Sequence, residues 1–318
     1  MPLLEIKDLH VSYAGAHGRP VQAVRGVTLA VDRGESVGLV GESGCGKSTL
    51  AAAVMRLVPA ARGRIIYDGV DVTALRGRDL FTYRGRAQMV FQDPYGSLNP
   101  RLSIGSALEE CLSVRRIGAR CERREMVARL LRDVGLEPAH AARYPHEFSG
   151  GQRQRIGIAR TLAVNPEFII ADEPVSALDV SIQAQILNLL KDLQARQRFS
   201  FLFIAHDLAV VRYMCTRVYV MYLGQIMEEG KTAEVYARPA HPYTRALLDA
   251  VPDIDRPRRK RSARPGSDGE PETLPVTAGG CPFYPRCPVA KSVCGQMAPE
   301  IKKTADSRFS RCHFAGEG

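Results

Sequence analysis

Gly41–Ser48 (GESGCGKS) constrains this chain more than any other stretch. It matches G-x-x-x-x-G-K-[ST] in full, follows the apolar run Val37, Leu39, Val40, and opens a helix-forming segment, Ser48–Leu57. A glycine-rich turn between a strand and a helix N-terminus lets main-chain N–H groups close around phosphate oxygens. The helix end adds partial positive charge. Lys47 then reaches the β- and γ-phosphates, and the Ser48 hydroxyl suits Mg²⁺. Cys45 is a small residue inside the loop, placed where a helix N-terminus lowers a thiol pKa.

The surroundings fit that context. Val21–Val31, Ser36–Val40, Phe168–Ala171, Phe201–Ile204 and Val218–Tyr222 read as strands. Ser48–Leu57, Gln152–Ala163, Ile182–Gln194 and Leu208–Met214 read as helices, and the alternation predicts an α/β fold with a mostly parallel sheet. Two strand runs with no helix between them in Leu3–Val31 predict an antiparallel β entry region. Val127, Leu130, Leu131 and Val134 follow the i, i+3, i+4, i+7 rule, so Ser106–His146 reads as a helical insertion.

Composition narrows the class. With 45% hydrophobic residues in 318, the chain supports a large core and is not a disordered protein. The most apolar late stretch, Leu208–Leu223, is broken by Arg212 and Arg217, and MPLLEIKDLH does not read as a signal peptide. The expectation is a cytosolic chain peripheral to a membrane. The net charge of +10 is concentrated: removing the six basic residues of Arg256–Arg264 leaves 38 basic against 34 acidic residues. The charge therefore reads as a basic linker or a lipid-headgroup contact, not as nucleic-acid binding.

Further motifs follow in a fixed order. Gln92 ends QMVFQ, FSGGQ spans Phe148–Gln152, and FIIADE spans Phe168–Glu173. SALD spans Ser176–Asp179, and His206 ends FLFIAH. With the phosphate loop, this set resembles the nucleotide-binding subunit of an ABC transporter over about Leu3–Pro252. QDPYGSLNPR (Gln92–Arg101), ADEPVSALDVSIQAQILNLL (Ala171–Leu190) and HPYTRALLDAVP (His241–Pro252) resemble its dipeptide/oligopeptide importer branch.

The resemblance implies a P-loop ABC ATPase cassette: a mostly parallel sheet core, an antiparallel β subdomain and a helical insertion at about 103–160. The cassette would span 1–252, a basic Pro/Gly linker 253–280 and a small cysteine-rich C-terminal tail 281–318. It implies that Tyr13 stacks on adenine and that Gly41, Glu42, Ser43, Gly44, Cys45, Gly46, Lys47, Ser48, Thr49 and Gln92 bind ATP. Ser48, Gln92 and Asp172 would hold Mg²⁺, and Lys47, Glu173 and His206 would serve hydrolysis. Ser149, Gly150, Gly151, Gln152 and Asp179 would act on ATP held by a partner subunit. The implied partners are two transmembrane permease subunits, a second and different ATPase subunit, and an extracytoplasmic peptide-binding protein, with no nucleic acid. The site would lie at the cytoplasmic face of the cell membrane. Related importers take nickel or glutathione-like peptides, which keeps a second substrate class open. A soluble ABC ATPase of DNA or ribosomes is disfavoured by the single cassette and short insertion.

The tail carries Cys281-x5-Cys287-x6-Cys294-x17-Cys312. Four thiolates on a Pro-rich loop suit either Zn²⁺ or an iron–sulfur cluster. The branch resemblance points to a [4Fe–4S] cluster, with zinc or no metal as alternatives. The expected role is to staple a segment with little core of its own.

Overall fold

The computed structural model describes residues 1–15, 20–93, 96, 98–250, 279–305 and 307–316. The run Arg256–Arg264, and all but the last two residues of the expected linker, lie outside the described residues.

The core sheet is built around β3 (Ser36–Val40), β6 (Ala87–Val90), β7 (Phe168–Asp172), β8 (Ser200–Ala205) and β9 (Arg217–Tyr222). These five pair in parallel in the order β9-β3-β8-β7-β6. Every residue of β3, β7 and β8 is buried, which requires a covering layer on both faces of the sheet.

The two-residue period of the strands divides the core in two. Ile169, Ala171, Phe201, Phe203, Val218 and Val220 face one side, where Leu108, Leu131, Ile156 and Leu190 pack on them. Phe168, Ile170, Leu202, Ile204, Tyr219 and Met221 face the other. There they meet α1 (Lys47–Val54) and an antiparallel sheet in the order β2-β1-β4-β5. Its strands are β1 (Leu4–Ala14), β2 (Pro20–Val31), β4 (Arg62–Tyr67) and β5 (Val70–Asp71). The chain is therefore a three-layer α/β cassette.

Between β6 and β7 stand α3 (Ile104–Val114), α4 (Arg120–Asp133) and α5 (Gly150–Leu162), preceded by α2 (Gly77–Arg86). Val127, Leu131 and Val134 are buried, as their spacing predicts, and Leu130 packs against them. Helix α1 stops at Val54, three residues short of the sequence reading, because Arg56 turns left-handed at φ 58°. Helix α6 runs longer than expected, over Val180–Gln197, until Arg198 closes it with a left-handed cap. Helix α7 covers Leu208–Met214.

The tail does not stand apart. After β10 (Gln225–Lys231), α8 (Thr232–Ala237) and α9 (Pro242–Ala250), the segment from Gly279 forms α10 (Ser292–Gln296), β11 (Lys302–Ala305) and β12 (Arg308–Ser310). Strand β12 pairs with β10, extending the core sheet to eight strands. The buried Glu228 carboxylate pins the junction by accepting the Ala240 and His241 N–H groups at 2.8 and 2.9 Å. Arg308 of β12 stands 3.7 Å from the same carboxylate. A segment this short buries too little surface alone, so it shares the cassette's core.

Among the described residues no helix is long and apolar enough to cross a membrane.

Candidate active site

The phosphate loop leaves the buried end of β3 and turns into α1. Gly46 adopts φ 106°, and a Cβ there would fall 2.2 Å from the Ala23 carbonyl oxygen. A Cβ on Gly41 would fall 2.2 Å from the Met221 carbonyl oxygen. The loop is thus pressed against two neighbouring strands, and larger residues would push it out of shape.

Lys47 is 4% exposed, and its Nζ donates to the Gly41 and Glu42 carbonyl oxygens at 2.8 and 2.9 Å. The Glu173 carboxylate approaches it only to 4.0 Å, at Oε1. Neutral carbonyls, rather than a close carboxylate, hold this side chain, which leaves room for an anionic substrate as its partner. Burial is the largest influence on the Cys45 thiol and pushes its pKa up, outweighing nearby Lys47. The expectation of a lowered thiol pKa at this helix end is therefore corrected.

Beside the loop, Ser48 Oγ donates to Asp172 Oδ1 at 3.1 Å. Burial raises the Asp172 pKa, an effect that a bound cation would oppose. A hydroxyl and a desolvated carboxylate together suit a hard divalent cation.

Glu173 follows at the end of β7 with φ 45°, a left-handed conformation uncommon for a residue with a side chain. Its N–H bonds the Ile204 carbonyl of β8 at 3.0 Å, anchoring this turn. The turn brings the carboxylate to two other strand ends. His206 Nδ1 lies 3.2 Å from Glu173 Oε2, and Gln92 Nε2 donates to the same oxygen at 3.4 Å. Strand β6 ends at Val90, so Gln92 lies just beyond it rather than closing it. Gln92 also donates to Ser176 Oγ at 3.4 Å. Lys47, Gln92 and His206, from three other segments, thus converge on Glu173.

Tyr13 is 42% exposed, and its hydroxyl donates to Thr49 Oγ1 at 3.5 Å, which places the ring beside the loop helix. The FSGGQ signature stretch, Phe148–Gln152, lies elsewhere. Helix α5 packs on α3, α4, α6 and β6, whereas α1 packs on β1, β2 and β7. Ser149 and Gln152 form a reciprocal cap, with Ser149 N–H donating to Gln152 Oε1 at 3.1 Å and Gln152 N–H to Ser149 Oγ at 3.4 Å. Ser149, Gly150 and Asp179 are exposed, so the signature helix end faces outward.

The tail cysteines Cys281, Cys287, Cys294 and Cys312 are buried and line one small cavity with His241 and Phe283. Burial pushes the Cys281 thiol up to about 11. Among the described residues no three His, Cys, Asp or Glu side chains are grouped to hold a single ion. The four thiols thus converge on one pocket without being grouped about a single point. A zinc site would bring all four sulfurs within about 2.3 Å of one point.

Sequence reasoning missed two residues that touch the phosphate loop. The Tyr243 hydroxyl accepts the Glu42 N–H at 3.0 Å, and Arg286 of the tail pairs with the Glu42 carboxylate. Tyr243 lies inside a recognised stretch, but no local pattern singled out Arg286.

Residues 24–176 match the ABC transporter family, and residues 227–294 match the oligopeptide/dipeptide transporter C-terminal region. A putative peptide import ATP-binding protein of Brucella ovis is 48% identical over 312 residues, covering 98% of this chain and 97% of that protein. The oligopeptide transport ATP-binding protein AppF of Bacillus subtilis is 50% identical over 323 residues, with 98% and 97% covered. The dimeric post-hydrolysis structure of the ATP-binding cassette MJ0796 bound to ADP and Pi superposes with a TM-score of 0.66. It is 31% identical and covers 72% of this chain and 98% of that one. CbiO1 from Clostridium perfringens, part of an ABC transporter complex, gives a TM-score of 0.66 at 28% identity, covering 74% and 91%.

Fold and strand-end site together define an ABC-class ATPase. The chain belongs to the ATP-binding proteins of ABC transporters, in the branch that carries the oligopeptide/dipeptide transporter C-terminal region.

Proposed function

We propose that this chain powers peptide import from the cytoplasmic face of a membrane transporter, hydrolysing ATP to ADP and phosphate. The observation that carries this reading is the convergence of Gln92, Glu173 and His206 beside the phosphate loop, in a chain whose full-length relatives are named for peptide import.

In this reading Gly41–Ser48 and Thr49 cradle the phosphates, Lys47 neutralises them and Tyr13 stacks on adenine. Ser48, Asp172 and Gln92 hold Mg²⁺, which supplies charge neutralisation when bound. Glu173 orients the attacking water and accepts its proton, and His206 holds the carboxylate and the γ-phosphate in register. The exposed cap of α5, with Ser149, Gly150, Gly151 and Gln152, serves ATP on a second, different ATPase subunit, and Asp179 joins that interface. A helix N-terminus is suited to a phosphate. The remaining partners are two permease subunits and an extracytoplasmic peptide-binding protein. Cys281, Cys287, Cys294 and Cys312, which line one cavity, would hold a [4Fe–4S] cluster through their thiolates, with a structural role in the tail.

Uptake of labelled oligopeptides by cells carrying Lys47→Ala in this chain tests the substrate class, with loss of uptake expected. Unchanged peptide uptake alongside lost nickel or glutathione uptake would overturn it. Iron and labile-sulfide analysis of anaerobically purified chain tests the cluster, and an iron-free protein would remove it.

A further inference from the structure

The cysteine tail touches the ATP site through one residue. Arg286 sits between Cys281 and Cys287, and its Nη2 and Nη1 reach Glu42 Oε1 and Oε2 at 2.7 and 2.8 Å. This is a two-pronged guanidinium–carboxylate pair, the geometry that most restricts both partners. The guanidinium also lies 5.8 Å from the Tyr222 ring and 5.7 Å from the Phe283 ring. Its main chain is fixed by the cysteine loop: Tyr284 N–H bonds the Cys281 carbonyl, Arg286 N–H the Phe283 carbonyl, and Cys287 N–H the Tyr284 carbonyl. Cys281 N–H in turn bonds the Cys294 carbonyl at 2.7 Å.

Glu42 is the second residue of the phosphate loop, and its carbonyl accepts from Lys47 Nζ at 2.9 Å. Its N–H is held by the hydroxyl of Tyr243, a fully buried residue whose ring packs 5.4 Å from Phe283. Both the side chain and the main chain of Glu42 are therefore gripped by the assembly around the tail. A carboxylate in a loop that binds triphosphate is a liability, because its negative charge repels the substrate.

We propose that Arg286 is a positioning residue for ATP binding: it neutralises Glu42, ties it to the tail, and makes the order of the four-cysteine loop a determinant of ATP affinity. The role rests on Gly41–Ser48 being the ATP phosphate loop. It acts on affinity rather than on the chemical step, since Arg286 touches Glu42 and none of Glu173, His206 or Gln92.

The test is ATP binding and steady-state hydrolysis by the full chain carrying Arg286→Gln, which keeps most of the side-chain bulk and removes the charge. The Kd and KM for ATP rise about 3- to 5-fold while kcat changes less than about 2-fold, the scale of a partly exposed ion pair. Arg286→Lys restores most of the affinity. On a Glu42→Ala background, Arg286→Gln has no further effect, because the charge it compensates is gone. Cys287→Ser weakens ATP binding in the same direction and adds little to Arg286→Gln. Parental affinity in Arg286→Gln, or an undiminished effect on the Glu42→Ala background, would overturn the proposal. Lys47→Ala in parallel separates the readings. Binding lost there, with Arg286→Gln unshifted, removes the positioning role alone. Binding that survives Lys47→Ala removes the phosphate-loop reading and this role with it.

Discussion

The strand-end ATP site and the cysteine pocket lie within one sheet-centred fold, yet they are built by opposite means. At the strand ends, polar groups serve one another: Ser48 bonds Asp172, and Gln92 and His206 both reach Glu173. In the pocket, four thiols and His241 are packed among aromatic rings, and His241 Nε2 makes no well-formed hydrogen bond. The first site is a polar lattice half open to solvent, where His206 is 53% exposed. The second is dry. Loss of a strand-end side chain should therefore stop chemistry while sparing the fold, whereas a change in the pocket should reach the fold first.

The largest expected effect lies at the strand ends. Glu173→Gln keeps the shape of the site but removes the carboxylate proposed as the base. ATP turnover falls on the order of 10² to 10⁴-fold while ATP binding persists, checked by phosphate release and nucleotide titration on the same preparation. Parental turnover in this variant would break the comparison at its stronger side.

The pocket predicts a pH effect on stability. His241 Nδ1 accepts the Tyr243 N–H at 3.0 Å, and burial lowers the His241 pKa to about 4. Between that value and the unfolded value near 6.5, the unfolded chain binds more protons than the folded one. The stabilising contribution is complete above about pH 6.5 and is lost as pH falls toward 4. Lowering the pH from 7 to 5 should cost about 2 kcal/mol through this group. Denaturant or thermal unfolding at the two pH values reads it, and His241→Gln should flatten the difference. An identical pH dependence in that variant would show that the pocket does not depend on a neutral imidazole.

The smallest effect sharpens the contrast at a third place, the exposed α5 cap. Ser149→Ala removes one half of the reciprocal cap with Gln152 and should lower stability by about 1 kcal/mol, measured by chemical denaturation. Turnover should fall by more than that stability loss explains. A proportionate loss of both would make Ser149 a cap and nothing more.

Much of the ATP site was legible because its parts are local. A phosphate loop is a run of main-chain N–H groups whose shape eight consecutive residues dictate, and a strand ending in two carboxylates announces itself. The left-handed turn at Glu173 was not legible, since it depends on the Ile204 carbonyl of a neighbouring strand. The helix ends at Val54 and Gln197 were also misplaced, because residues with side chains, Arg56 and Arg198, take left-handed conformations where glycine is the usual signal.

The α/β class, the phosphate loop, the helical insertion and the clustering of four cysteines follow from residue order alone. Each is written in short-range periodicity or spacing, which the chain enforces locally. That the tail extends the core sheet, and that Arg286 grips Glu42 across 244 positions of sequence, emerges only once the chain is packed. Packing alone brings the four cysteines to one cavity, without mononuclear metal geometry among the described residues. Burial and long-range charge pairing depend on which surfaces meet, and spacing along a chain does not encode that meeting.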